Sequence, residues 1–133
     1  MLENISQYAV RLLPGQDLKV EIEKTVIENK IAAGCVLSIV GSLSKATLRL
    51  ADGKAIKFWE ESFEIVSGTG TLSADGCHIH VAVADCEGKV IGGHLKEGCI
   101  INTTAEVVLL IFNDVKYSRE DDSQTGFKEL VVK

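Results

Sequence analysis

The sequence predicts an α+β fold in which a barrel-like, mostly antiparallel sheet carries one main helix. Three observations lead there. Apolar residues recur with a helical period in one segment only, near the amino terminus. From Gly34 onward the period shortens to two and stays there, broken by glycine-containing turns. Strand and helix patterns do not alternate, so a doubly wound nucleotide-binding sheet is not expected.

The elements follow in order. Tyr8-Ala9-Val10-Arg11-Leu12-Leu13 alternates and suits a first strand, which Pro14-Gly15 ends with a turn. Asp17 is placed to cap a helix starting at Leu18. Ile22, Val26, Ile27 and Ile31 form its apolar stripe, and Gly34 stands where a terminating glycine belongs. Cys35–Val40 reads as a short strand. Ala46–Ala51 and Lys54–Trp59 flank Asp52-Gly53, a hairpin signal. Ser62–Leu72 is a further strand, with Gly68 and Gly70 marking a bend or bulge. Cys77–Ala84 and Lys89–Leu95 flank a tight turn at Asp85-Cys86-Glu87-Gly88. Ala105–Phe112 is almost wholly apolar and is expected to be central and covered on both faces. Asn113–Gln124 is polar and acidic and reads as an exposed loop, and Phe127–Val132 closes the fold.

With 133 residues, 46% of them hydrophobic and 25% charged, the chain reads as one domain, residues 1–133, able to build a core unaided. Disorder is excluded on the same grounds. No apolar run approaches the ~20 residues of a membrane span. Met1–Gln7 has no basic region ahead of an apolar one, so no secretory leader is read there and a cytoplasmic protein is expected. The net charge of −5, from 14 basic against 19 acidic residues, disfavours strong non-specific DNA binding. Cys35, Cys77, Cys86 and Cys99 include no C-x-x-C pair, which argues against a thiolate zinc site and for mostly buried reduced thiols.

The chemistry concentrates in the histidines. All three, His78, His80 and His94, fall within one predicted hairpin. His78 and His80 are two apart on a strand and share a face. The returning strand brings His94 back beside them. Three neutral imidazoles with a fourth position open form a catalytic-type zinc set, and imidazole also suits copper, nickel or ferrous iron. The register is decisive. If Ala84 pairs with Lys89, His94 opposes Ile79 and faces away. An odd-length loop, or a bulge at Gly92-Gly93, puts His94 opposite His78 or His80. The plainer alternative is a solvated H-x-H face with His94 elsewhere.

Other features carry less. Gly68-Thr69-Gly70 precedes a strand, not the helix N-terminus a phosphate cradle needs. No G-x-S-x-G serine motif is present. Cys77 alternates away from His78, which weakens a Cys–His dyad. Phe58 and Trp59 read as core or interface. Glu120-Asp121-Asp122 reads as a solvated loop. Glu60, Glu61, Glu64 and Glu106 are the carboxylates considered as a fourth ligand, a histidine partner or a base. Arg11 and Arg49 sit in alternating apolar runs and are expected inside the fold.

The chain also resembles the PPC (plant and prokaryote conserved) domain. The resemblance lies in Arg11–Leu18, Gly41-Ser42-Leu43, Ser62–Gly70, His78-Ile79-His80, Gly92-Gly93-His94-Leu95, Tyr117–Glu120 and Thr125–Leu130. It implies a fold similar to acetolactate decarboxylase, a homotrimer, and a metal at His78, His80 and His94, as in prokaryotic members. Plant members carry an Arg-Gly-Arg-Pro hook that is not found here. They also have Gly-Arg ahead of Phe-Glu-Ile where this chain has Glu61-Ser62. The function implied is a homotrimeric DNA-binding or regulatory module with a three-histidine divalent metal, expected to be zinc, open to a small-molecule ligand. The alternative is a metal-dependent lyase or decarboxylase acting on a small carboxylic acid. Membrane association is not expected.

Overall fold

The computed structural model describes residues 3–133. The leader assessment begins at Met1 and Leu2, which lie outside them. One helix and nine strands follow in the order β1 (Ile5–Leu12), α1 (Leu18–Glu28), β2 (Gly34–Arg49), β3 (Ile56–Trp59), β4 (Phe63–Ser73), β5 (Gly76–Ala84), β6 (Val90–Leu95), β7 (Ile100–Phe112), β8 (Tyr117–Asp121) and β9 (Lys128–Val132). No helix among the described residues is long and apolar enough to cross a membrane.

The α+β class holds. Every pairing is antiparallel. The main sheet runs β1-β7-β2-β4-β5-β6, with β3 added on β2. The carboxyl end of β2 also pairs with β6, through Leu48↔Leu95 and Arg49↔His94. The β2-β4-β5-β6 part therefore closes into a ring while β7 and β1 extend away from it. The sheet is ring-closed in part and is not a full barrel.

Asp17 caps α1 by accepting from the Val20 amide. Leu18, Ile22 and Val26 are buried. The helix ends differently from the expectation at Gly34. Ile31 N–H donates to Val26 C=O and Lys30 N–H to Ile27 C=O, with Lys30 at φ +52°. That is a Schellman ending with lysine in the left-handed position. Gly34 instead opens β2, where an added Cβ would strike the Leu110 carbonyl.

Four further expectations are corrected. The two strands read at Cys35–Val40 and Ala46–Ala51 are one 16-residue strand, bulged against β7. Gly41 lets it continue, because a Cβ there would meet Thr104 and Ala105. The turn before β3 spans Leu50–Ala55 rather than two residues, with Asp52 accepting from the Lys54 and Ala55 amides. Asn113–Gln124 is not a loop throughout. It contains β8, whose polar side chains hide a strand that pairs with β9 in a separate two-stranded sheet. Finally, β7 is central but covered on one face only. Ala105, Val107 and Leu109 are buried, whereas Glu106 is exposed and Val108 and Leu110 are half-buried.

Candidate metal centre

The histidine hairpin folds with the odd loop the argument requires. Ala84 pairs with Val90, leaving Asp85–Lys89 as the connection, and His80 then stands opposite His94. Asp85 organises that connection by accepting from the Glu87 and Lys89 amides. Gly92 and Gly93 matter for packing. A Cβ on Gly93 would come within 2.7 Å of the Arg49 carbonyl, and one on Gly92 within 2.8 Å of the Val81 carbonyl.

His78 Nε2 and His80 Nε2 are 3.1 Å apart. One ligand atom from each of His78, His80 and His94 lies within 4.8 Å of the others. A tetrahedral ion with metal–nitrogen bonds near 2.0–2.1 Å sets its ligand nitrogens roughly 3.3 Å apart. The donor set fits such an ion after a small closing movement of the third ring. Burial, followed by the Arg49 charge, pushes His94 from 6.5 down to about 4. Burial, then Arg119, lowers His78 as well. Both rings are thereby held neutral, the form that ligates.

Two arginines frame the triad. Arg49 is His94's cross-strand partner, and its Nη2 donates to His94 Nδ1 at 3.4 Å. A guanidinium only donates, so Nδ1 presents its lone pair on that side. Arg119, from β8, donates from Nη2 to Thr71 Oγ1 at 2.6 Å. Arg49, Arg119, His78 and His94 line a cavity of about 330 Å³ with Asp75, Phe127 and Glu129. Arg49 and His94 also line a second cavity of about 410 Å³, which includes His80.

The other candidate residues distribute as follows. Arg49 is half-buried, with its Nε covered, but Arg11 is exposed, because β1 is an edge strand with one open face. Glu60, Glu61, Glu64 and Glu106 are exposed and line no cavity shared with the histidines, and Glu60 pairs with Lys45 at 3.6 Å. The carboxylates beside the triad are Asp75 and Glu129. Neither stands out in sequence, since Glu129 lies on the short charged hairpin and Asp75 in a turn. Phe58 is 55% exposed, whereas Trp59 packs against the core. The four cysteines are free, but only Cys99 is buried and Cys86 is exposed. Glu120 and Asp121 belong to β8, and Glu120 pairs with Lys133 at 2.8 Å.

Sheet and site together define a class: a partly ring-closed antiparallel β domain with a convergent imidazole triad on one hairpin. The chain belongs to the Plants and Prokaryotes Conserved (PCC) domain family, whose model matches residues 2–113. It is similar to a hypothetical protein from Salmonella cholerae-suis, with 35% identity, TM-score 0.94, and coverage of 97% of this chain and 94% of that one. A metal-containing protein from Archaeoglobus fulgidus aligns with 29% identity, TM-score 0.81, and coverage of 95% and 93%. A protein from Bacteroides thetaiotaomicron provisionally named as DNA binding has 22% identity and TM-score 0.84 over 98% and 94%, a likeness of fold alone. Among curated proteins, the bifunctional protein GlmU of Synechococcus sp. (strain JA-3-3Ab) is 50% identical over 94% of this chain. The chain spans about a fifth of that relative's length, 20%.

Proposed function

We propose that this chain is a regulatory binding domain that holds one divalent ion on His78, His80 and His94 and takes a small ligand there. Zinc is the ion best suited to three neutral imidazoles with an open fourth position. The convergence of the three ligand atoms within 4.8 Å carries the reading. The metal-containing Archaeoglobus relative supports it. When bound, the ion supplies a Lewis acid. The chain's own residues orient it: β5 and β6 set the three rings.

The domain works as a homotrimer in this reading. Leu37, Val40 and Val66, each more than half exposed on β2 and β4, give the sheet an apolar outer surface suited to subunit packing. Such a trimer carries a charge of about −15, which opposes approach to a phosphate backbone. DNA is thus the less favoured partner, and a small molecule the more favoured one. A second reading, a metal-dependent lyase on a small carboxylic acid, draws on Glu129, a carboxylate that lines the triad's cavity.

Elemental analysis of purified protein, with native mass measured alongside, tests the proposal. One zinc per chain in a trimer is the expected result. A His80→Ala variant that keeps full metal content overturns the site.

A further inference from the structure

We propose that Arg49 and Arg119 form a clamp for the carboxylate of a small organic acid, held beside the triad. The inference rests on the metal reading for the ligand's second contact, and on the chain's own charges for the first.

Arg49 Nε is buried and has no hydrogen-bond partner. Buried guanidinium donors are ordinarily satisfied, so an unmet one leaves Arg49 with hydrogen-bonding capacity that no protein group fills. Neither Arg49 nor Arg119 has a carboxylate within ion-pair distance among the described residues, although other surface charges do find partners. Both arginines nonetheless line one cavity with His78 and His94. With a divalent ion on the histidines, that cavity holds the ion, two guanidiniums and the Lys128 side chain, opposed by Asp75 and Glu129 alone. An anion is the missing charge.

The shape favours a carboxylate. The Arg49 guanidinium carbon lies 5.7 Å from the centroid of the Phe127 ring, which holds the planar fork on a flat wall. A fork of this kind matches two coplanar oxygens. The volume, about 330 Å³, suits a small acid. Arg119 and Phe127 lie beyond the family match at residues 2–113, on the β8–β9 hairpin.

The test is calorimetric titration of oxalate, pyruvate and inorganic phosphate into zinc-loaded and EDTA-treated protein, with zinc counted separately. Carboxylates should bind the loaded protein more tightly than phosphate does. Both Arg49→Gln and Arg49→Lys should weaken them at least tenfold while zinc content is unchanged, since lysine restores the charge but not the fork. Arg119→Gln should weaken them less. Carboxylate affinity unchanged in Arg49→Gln, no carboxylate binding in either form, or a preference for phosphate would each overturn the clamp. A wild-type protein without zinc sinks the metal reading instead, and the Arg49 dependence is then read on the metal-free form.

Discussion

His80 and His94 are direct partners across the β5–β6 pair, with ring centroids 5.5 Å apart. One residue more or less in register would send His94 to the opposite face. Replacing either ring should therefore cost the ion its geometry as well as a bond. His80→Ala and His94→Ala are expected to lower zinc affinity by at least about 100-fold, more than loss of an outer-shell partner does. Competition with a chromophoric chelator measures it, and affinities within tenfold of wild type would contradict the assignment.

Acid should loosen the metal-free fold. The folded-state value of His94 is depressed to about 4, chiefly by burial and next by Arg49, from 6.5. The unfolded chain then binds the extra proton more readily. Stability is fullest above about 6.5 and is lost as pH falls from there through about 4. The melting temperature of EDTA-treated protein should drop across that window, and His94→Gln should flatten the drop. A wild-type profile no steeper than the variant's would refute this.

Gly93 seals the seam where β2 meets β6. In Gly93→Ala the new methyl would press on the Arg49 carbonyl, 2.7 Å away, and on Leu48. A stability loss of about 1–3 kcal/mol is expected from such overpacking, with weaker zinc binding because β6 is pushed off β2 and carries His94 with it. Gly88→Ala in the nearby turn meets no atom within 4 Å, although its φ of +80° costs backbone strain. It should lose stability without losing zinc affinity, and chemical denaturation with zinc titration separates the two.

If the apolar sheet surface packs subunits, Val40→Asp should break the trimer. Val40 is 58% exposed in the isolated chain, so the charge leaves the monomer's core undisturbed. Sedimentation should then report a smaller species with an unchanged far-ultraviolet spectrum. A variant that stays trimeric would show the packing surface to be elsewhere.

The thiols should separate by reactivity. Burial raises Cys77 and Cys99 to about 11, and Cys35 is raised too. Cys86 is exposed in the hairpin turn. Maleimide at neutral pH should label Cys86 first and Cys99 last, read by mass spectrometry of digested protein. Equal labelling of Cys99 would mean that the core opens readily.

The hairpin that gathers the histidines was legible because its cues are local: alternation, one tight turn, and a parity condition on the loop. The arginines show where local cues fail. Arg11 and Arg49 sit in similar alternating runs, yet Arg11 lies on an edge strand and Arg49 at the ring's seam. Only non-local pairing separates them. The same holds for Arg119, Phe127 and Glu129. Their strands are short and charged, with little apolar alternation, and become visible only once β8 finds β9. The long β2 reads as two strands in the sequence because its polar middle, Ser42 to Lys45, resembles a connection, whereas the β7 ladder continues through it.

The β8–β9 sheet stands apart from the main one, yet it furnishes one wall of the cavity. Labour is thereby divided. In the proposed reading the ring of strands would anchor the cation, and this separate flank would decide what may sit beside it. Exchanging that flank alone offers a way to redirect molecular preference while the ion's cradle stays untouched.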